Sequence, residues 1–158
     1  RLVPGLAQGA QEVTRIAVLN GPNLDLLGLR EPEIYGRTTF AELEAMVRAE
    51  AAELGVTLDW FQTNHEGAFL DKLRTLRGAV DGCLINAAAW THDNLAVRDA
   101  VLAFPAPFVE VHLSNIFARE PERRHSMLAD RAKGFICGFG ARGYVFALRA
   151  LVEQLDGG

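Results

Sequence analysis

Two side chains of a segment rich in proline and glycine, Arg30 and Tyr35, have the types needed to remove a proton. A nearby fixed positive charge favours the phenolate form of a tyrosine, which can then act as a general base near neutral pH. Their segment, residues 20–36, is long for a connection between a strand and a helix, and such connections are usually functional or disordered. Six apolar anchors favour order: Leu24, Leu26, Leu27, Leu29, Ile34 and Tyr35. The sequence therefore predicts an ordered loop that presents a tyrosine and an arginine, with simple packing as the alternative role for Tyr35.

Two of the four histidines, His92 and His112, follow apolar runs that predict strands. A single histidine is more often structural than catalytic, but two at strand ends of one parallel sheet would face the same crevice. No Asp or Cys accompanies them at metal-ligand spacing, so they are not predicted to be metal ligands. His65 and His125 are predicted to lie on the surface or to support the site.

The elements that must position these residues alternate between strand and helix. Apolar, β-rich runs predict five strands, at about residues 15–19, 57–62, 82–85, 108–111 and 134–137. Periodic apolar residues predict helices at about residues 39–54, 68–77, 93–104 and 141–155, with a short one near 122–126. This alternation predicts an α/β fold of the flavodoxin-like type, a doubly wound five-stranded parallel sheet in the order 2-1-3-4-5 with helices on both faces.

Helix termini can also be predicted from the sequence. Thr39 and Glu42 form a candidate capping box, and Gly55 is placed to stop the same helix. Thr91 is a candidate N-cap for the third long helix.

Ligands of doubly wound sheets bind beyond the carboxyl ends of the strands, where the strand order reverses. Neutral hydrogen-bonding side chains dominate the predicted ends here, which suits a polyhydroxylated small molecule. The residues at these ends are Asn20, Asn23, Asn64, Glu66, Asn86, His112, Ser114, Asn115, Gly138 and Gly140.

A basic cluster, residues 119–131, is interrupted by acidic residues and so suggests a small anion rather than a polyanion. Arg119 and Arg123 would share a face if this segment were helical, and would then form a lid or an anion clamp. The alternative is a solvated basic face paired with Glu120 and Glu122.

Residues 138–143, GFGARG, match the G-x-G-x-x-G pattern of dinucleotide-binding turns. The pattern falls in the last strand–helix unit, and no second strand follows that could supply an acidic residue for the ribose. A tight turn with close helix packing is therefore the favoured interpretation.

Composition restricts the class of protein. The chain of 158 residues is 49% hydrophobic and 23% charged, which fits a single catalytic domain at residues 15–158 after a flexible N-terminal extension at residues 1–14. A net charge of −4 argues against a nucleic-acid partner, and no apolar run reaches the about 18 residues of a membrane span. Cys83 and Cys137 lie in predicted strands without a CxxC pattern, which predicts buried, reduced thiols and a cytoplasmic protein.

Five longer motifs then identify a family resemblance. They are NGPNLDLLGLREPEIYG at 20–36, QTNHEG at 62–67, INAAAWTH at 85–92 with Arg98 and Asp99 after it, EVHLSNIFARE at 110–120 and GFGARGY at 138–144. In this order they closely resemble the type II 3-dehydroquinate dehydratases, and the similarity covers about residues 15–155.

This resemblance implies an activity and an assembly. The reaction would be the reversible loss of water from 3-dehydroquinate to give 3-dehydroshikimate, in the shikimate or the quinate pathway. It would be an anti elimination through an enolate, without metal, cofactor or imine. The resemblance also implies a homo-oligomer built as trimers within a dodecamer.

Carried onto the matching positions, the resemblance implies four catalytic residues. Tyr35 would remove the C2 proton, and Arg30 would favour its phenolate and close over the site with the loop. Asn23 would hold a water that stabilises the enolate oxygen. His112 would protonate the departing C1 hydroxyl.

Five further positions would bind substrate. Asn86 would orient both the catalytic histidine and the substrate. His92 and Arg123 would bind ring hydroxyls, while Leu113 and Ser114 would take the carboxylate through backbone amides and the serine hydroxyl.

Three positions would support the site from outside. Arg119 matches a second arginine of the lid, and Glu110 a glutamate that supports the histidine. Asp99 matches a residue that reaches the substrate site of a neighbouring subunit.

Two other functions stay open from the sequence. A catalytically weak, dehydratase-like protein could bind a cyclic polyol carboxylate without turning it over, although the presence of Tyr35, Arg30 and His112 argues against it. A flavin or nucleotide binder on the same fold is the third possibility.

Overall fold

The computed structural model describes residues 12–157, so most of the predicted N-terminal extension, residues 1–11, lies outside the described residues. The five predicted strands are present, each within one residue of its expected bounds. They are β1 Arg15–Asn20, β2 Thr57–Gln62, β3 Gly82–Asn86, β4 Phe108–His112 and β5 Gly134–Cys137. All pairings are parallel and the order is β2-β1-β3-β4-β5, which confirms the predicted doubly wound sheet.

The helices follow the predicted alternation with local differences. They are α1 Pro32–Tyr35, α2 Phe40–Leu54, α3 Glu66–Leu76, α4 Trp90–Asp93, α5 Leu95–Leu102 and α6 Arg142–Leu155. Within residues 12–157, three single 3₁₀ turns lie in the loops, at Leu24–Leu26, Ile116–Ala118 and Pro121–Arg123. The helix predicted near 122–126 is therefore wrong, since the chain leaves the last of these turns at Arg123.

The third long helix, predicted at about residues 93–104, is present as α5, but its predicted N-cap is wrong because a separate short helix, α4, precedes it. The chain breaks at Asn94, whose side chain accepts a hydrogen bond of 2.9 Å from the amide of Val97 and so caps α5. Thr91, the predicted cap, lies inside α4, and its buried hydroxyl has no hydrogen-bond partner within residues 12–157. The caps predicted for α2 are present: Thr39 accepts from the amide of Glu42, and Gly55 adopts a left-handed conformation at φ 71°.

Alternate residues of β1 face the two sides of the sheet, as the period of a strand requires. Ile16 and Val18 pack with α2 and α6, whereas Ala17 and Leu19 pack with α3 and α5. Both faces are thus covered, which explains why the central strands read as continuous apolar runs.

The two cysteines differ in burial. Cys83 is fully buried in β3, and burial raises the pKa of its thiol. Cys137 is only half-buried because it lies on the edge strand β5, so the predicted burial was wrong for this residue. Within residues 12–157, no helix combines the length and the apolar character required to cross a membrane.

The strand order reverses between β1 and β3, and the loops that leave these strands are held together there. The amide of Gly21 donates to the carbonyl oxygen of Asn86 at 2.8 Å. A Cβ at position 21 would lie 2.5 Å from the backbone oxygen of Ala87, so only glycine permits this approach. This close contact forms the base of the crevice described next.

Candidate active site

A cleft with an empty volume of about 720 Å³ opens at the carboxyl ends of β1, β3 and β4. It occupies the switch point in strand order, where doubly wound sheets bind small-molecule ligands. Ten of the twelve predicted site residues line it: Asn23, Arg30, Tyr35, Asn86, His92, His112, Leu113, Ser114, Arg119 and Arg123. The other two, Glu110 and Asp99, lie elsewhere and are treated below.

The loop after β1 supplies one wall of the cleft. Leu24 and Leu27 are its buried anchors, with 7% and 6% of their surface exposed. The other aliphatic anchors predicted from the sequence were wrong, since Leu26, Leu29 and Ile34 are exposed. The 3₁₀ turn at Leu24–Leu26 places Leu24 in the core, where it packs with residues of α2.

Asn23 enters the cleft from the start of this loop. Its backbone is left-handed at φ 67°, a conformation that asparagine tolerates better than most residues. Its amide donates to Oδ1 of Asn64 at 2.8 Å, and Gln62 donates to both Asn64 and the carbonyl oxygen of Gly21. The backbone of Asn23 is thus fixed by β2 and the residues that follow it, while its side chain lines the cleft.

Tyr35 ends the short helix α1 and is contacted by two arginines. The guanidinium carbon of Arg30 lies 5.7 Å from the ring centroid, as the sequence led us to expect. The guanidinium carbon of Arg119 lies 5.4 Å from the same centroid, and its Nη2 donates to the Tyr35 hydroxyl at 3.3 Å. Nη1 of Arg119 donates to Oγ of Ser114 at 3.2 Å. Two cations rather than one therefore face the phenol.

Arg119 and Arg123 both line the cleft, but not from one helical face as predicted. Arg119 has an extended backbone between two 3₁₀ turns, and Arg123 ends the second of them. Glu120 pairs with both, at 2.5 Å from Nε of Arg123 and 3.5 Å from Nε of Arg119. The arginines therefore reach the cleft and are also paired with Glu120, as the second alternative expected, while a role as a lid or an anion clamp stays a prediction.

His112 ends β4 and lies directly against a buried carboxylate. Its Nε2 is 2.5 Å from Oε2 of Glu110, a residue with no exposed surface. The second oxygen of Glu110 accepts from Oγ of Ser126 at 2.7 Å. Because Nε2 is taken up by the carboxylate, Nδ1 is the ring nitrogen left for proton exchange with a ligand.

His92 lies beside His112, with ring centroids 6.3 Å apart and nearly parallel rings. Its Nδ1 is 2.8 Å from the carbonyl oxygen of His125, and His125 returns the contact by donating from Nε2 to the carbonyl oxygen of His92. A carbonyl oxygen only accepts, so Nδ1 of His92 carries the hydrogen and Nε2 of the neutral ring is an acceptor.

The environment of His92 favours this neutral form. Burial lowers the pKa of its imidazole, and the positive charges of His112 and Arg123 act in the same direction, against an opposing contribution from the His125 carbonyl. His92 is therefore suited to accept a hydrogen bond from a ligand hydroxyl.

Asn86 lines the cleft, but its side chain is bonded to residues other than the histidine it was predicted to orient. It accepts from the amide of Ala88 at 3.1 Å and donates to the hydroxyl of Tyr144 at 2.9 Å. The Tyr144 hydroxyl in turn donates to Oδ1 of Asn20 at 2.7 Å. Within residues 12–157, the side chain in hydrogen-bond contact with His112 is Glu110 and not Asn86, and the predicted orienting role of Asn86 stays a prediction.

Tyr144 is the residue that the sequence interpretation undervalued. It is fully buried in α6, as expected of a packing residue, yet its hydroxyl joins the asparagines that end β1 and β3. Burial raises the pKa of its phenol, so the group stays neutral and donates. The available signal was that a buried tyrosine requires a hydrogen-bond partner, and two strand-end asparagines, Asn20 and Asn86, were present.

Asp99 lies on α5, exposed in a groove shared with α3, and does not line the cleft of its own chain. Its predicted contact with a neighbouring subunit's site stays a prediction. Within residues 12–157, no group of three or more potential ligands is arranged to hold a metal ion.

The cleft combines the parts that a proton-transfer reaction on a small anion requires. Tyr35 is a candidate base beside two cations, and His112 is a candidate acid backed by a carboxylate. Arg123 and Ser114 are donors suited to hydroxyl and carboxylate groups.

Comparisons with known proteins identify the family of this chain. The family described as dehydroquinase class II matches residues 14–152. A protein of Gemmatimonas aurantiaca named 3-dehydroquinate dehydratase is 58% identical over 141 residues, covering 89% of this chain and 93% of that protein. A protein of Aspergillus oryzae named catabolic 3-dehydroquinase is 53% identical over 133 residues, covering 84% of this chain and 87% of that one.

A solved structure is similar over nearly the whole fold. The type II dehydroquinase from Propionibacterium acnes superposes with a TM-score of 0.86 at 41% identity, covering 91% of this chain and 99% of that one. With the family match over residues 14–152 and these identities, the chain belongs to the class II dehydroquinase family.

Proposed function

We propose that this protein is a 3-dehydroquinate dehydratase, a hydro-lyase that converts 3-dehydroquinate reversibly into 3-dehydroshikimate and water. The names of its relatives support the reaction. The observation that carries the proposal is the presence, in one cleft, of Tyr35 under two guanidinium groups and of His112 against a buried carboxylate.

The first step requires a base and a site for negative charge. The phenolate of Tyr35 takes the C2 proton, which the adjacent ketone acidifies, so the electron pair moves onto the ketone oxygen as an enolate. Arg30 and Arg119 stabilise the phenolate before transfer. A water held by Asn23 donates to the enolate oxygen as its charge develops.

The second step requires an acid for the leaving group. The enolate re-forms the ketone and expels the C1 hydroxyl, which takes a proton from Nδ1 of His112 and departs as water. Glu110 holds the opposite ring nitrogen and stabilises the positive charge of the imidazolium. Since the substrate's own ketone accepts the electrons, a base, an oxyanion donor and an acid suffice for this chemistry.

The remaining residues of the cleft bind the substrate. The backbone amides at Leu113 and Ser114, with the serine hydroxyl, take the carboxylate. Nε2 of His92 accepts from a ring hydroxyl, and Arg123 donates to another. Asn86 contributes to the substrate wall from its fixed position under Tyr144.

A turnover assay tests the proposal. 3-Dehydroshikimate is a conjugated enone, so adding 3-dehydroquinate to the protein should produce a rise in ultraviolet absorbance. The alternative function is a catalytically weak protein that binds a cyclic polyol carboxylate. A flat absorbance trace together with calorimetrically detected binding of 3-dehydroquinate would establish that alternative.

We further propose a cytoplasmic enzyme of the shikimate or quinate pathway, with residues 15–158 as its catalytic domain and with trimers assembled into a dodecamer. The exposed position of Asp99 on α5 supports a contact with a neighbouring subunit. Light scattering of the intact protein tests the assembly. A monomer that turns over 3-dehydroquinate at full rate would contradict a role for Asp99 in a neighbour's site.

A further inference from the structure

Ser126 contacts the carboxylate that faces the proposed acid, His112, and its hydroxyl can donate a hydrogen bond in only one direction. The backbone amides of Leu128 and Ala129 donate to Oγ at 3.0 and 3.1 Å. An amide cannot accept, so the single hydroxyl proton of Ser126 must point to Oε1 of Glu110, 2.7 Å away. The serine is thus a fixed donor aimed at one oxygen of a buried carboxylate.

Glu110 depends on such donors because it has no exposed surface. A buried carboxylate keeps its negative charge only where hydrogen bonds or opposite charges replace water. Here one oxygen faces Nε2 of His112 and the other faces Ser126. Ser126 therefore supplies one of the two contacts that maintain the anion.

Without the Ser126 donor, one proton of the His112–Glu110 pair would move from the histidine to the carboxylate. The number of protons on the pair would stay the same. In the acid form of the pair, an imidazolium of His112 faces the carboxylate of Glu110. If Oε1 lacks its donor, the negative charge of the carboxylate is less well stabilised, and the Nε2 proton moves to Oε2. His112 then becomes a neutral ring protonated only at Nδ1, which is a far weaker acid than the imidazolium.

We propose that Ser126 is a positioning residue for the acid: by donating to Glu110 it keeps the carboxylate charged, so that His112 can reach the leaving group as an imidazolium. This inference rests on the proposed dehydratase function for its catalytic consequence, but its effect on the two ring nitrogens is independent of any substrate.

If Ser126 only held its backbone segment in place, replacing it would change substrate binding rather than the acid. Its segment continues from Arg123, so a displaced segment would weaken substrate binding. However, the segment has anchors that do not involve the Ser126 hydroxyl. Met127 donates from its amide to the carbonyl oxygen of Thr91 at 2.9 Å, and Arg98 forms a two-pronged ion pair with Asp130.

Several groups besides Glu110 bear on the protonation of His112. His92 on α4 is stacked against it, and His125 is bonded to His92. The guanidinium groups of Arg30, Arg119 and Arg123 line the same cleft. Phe135 of β5 covers the ring from another side and does not titrate. None of these groups is altered by a substitution at position 126.

The experiment compares Ser126→Ala, Ser126→Thr and a matched control, Thr75→Ala, which removes an exposed hydroxyl bonded to a helical carbonyl far from the cleft. In Ser126→Ala we expect kcat to fall about tenfold, equivalent to about 1.4 kcal/mol of transition-state stabilisation, with KM little changed. Ser126→Thr keeps the donor and should restore most of the rate, and Thr75→Ala should match the wild type.

Nitrogen NMR of His112 in the substrate-free protein provides the second measurement. On acidification, the wild type should show both ring nitrogens protonated, while Ser126→Ala should show a weakened proton signal at Nε2. An unchanged kcat, a loss confined to KM, or His112 nitrogen signals identical to those of the wild type would each overturn the proposal. A failure of the proposed dehydratase function would have a different result. The wild type would not turn over 3-dehydroquinate, but the His112 nitrogen signals of Ser126→Ala would still differ from those of the wild type.

Discussion

Arg119 donates from Nη2 to the hydroxyl of Tyr35 at 3.3 Å, although the two residues are 84 positions apart in the chain. The contact joins the loop after β1 to the loop after β4 across the mouth of the cleft. It brings to the phenol a cation from a different loop than Arg30. The proposed base is thus defined by two loops together, whereas the proposed acid is part of the rigid strand β4.

Replacing Tyr35 by phenylalanine removes the proposed base without removing the ring that the arginines contact. We expect kcat to fall at least about 100-fold, the usual range for loss of a general base, with substrate binding largely retained. Stopped absorbance assays measure kcat, and calorimetry measures binding of 3-dehydroquinate to the inactive variant. Near-normal turnover would mean that another group takes the proton.

Removing either cation beside Tyr35 should slow the reaction. Without Arg30 or Arg119, the negative charge on the Tyr35 oxygen loses a facing guanidinium group, so kcat should fall in Arg30→Ala and in Arg119→Ala. Arg48→Ala is the matched control, since Arg48 pairs with Glu44 on the outer face of α2. If kcat of both variants equals that of the control, electrostatic activation of Tyr35 is wrong.

The strands and the location of the site could be predicted because both follow from local pattern and sheet geometry. An apolar run such as Ile16–Leu19 is buried on both faces only when the sheet lies between two layers of helices. Parallel strands bring their carboxyl ends to one edge of the sheet. The contact between Arg119 and Tyr35 could not be predicted from local pattern, since it depends on the conformations of two long loops.

Two predictions from the sequence were incomplete or wrong because the same residue type can serve more than one structural purpose. Asn94 ends α4 and caps α5, whereas Thr91, whose residue type also suits an N-cap, was predicted as the cap and lies inside α4. Tyr144 has the spacing of a packing residue in an amphipathic helix, and only its three-dimensional position reveals the polar bridge between Asn20 and Asn86.

The lowered pKa of His92 predicts a pH dependence of stability. The folded protein disfavours the charged ring, while the unfolded chain binds a proton with a pKa of about 6.5. The stabilisation is therefore complete above about pH 6.5 and is lost as the pH falls towards the lower pKa of the folded state. Denaturant unfolding between these limits should show this decline in the wild type.

In His92→Asn the decline should be smaller, since asparagine can still donate to the His125 carbonyl and does not titrate. His65→Gln is the control, because His65 is exposed at the start of α3 and should leave the decline unchanged. A wild-type stability that stays level through this pH range, or a His92→Asn variant with the same decline, would contradict the assignment.

Tyr144→Phe isolates the polar bridge beneath the cleft. The ring stays packed between α6 and the sheet, but two buried asparagines lose their shared partner: Oδ1 of Asn20 loses a donor and Nδ2 of Asn86 loses an acceptor. Leaving buried polar groups unpaired costs about 1–3 kcal/mol, so the free energy of unfolding should fall by about that amount. Because Asn86 also holds the amide of Ala88, whose φ of 51° is unfavourable for a residue with a Cβ, KM should rise as this wall of the cleft relaxes. Urea unfolding and steady-state kinetics measure the two effects.

Phe69→Leu, which changes an equally buried ring on the opposite face of the sheet, is the control: it should lower stability while leaving KM unchanged. A Tyr144→Phe variant with wild-type stability would show that the hydroxyl does not hold the two strand ends together.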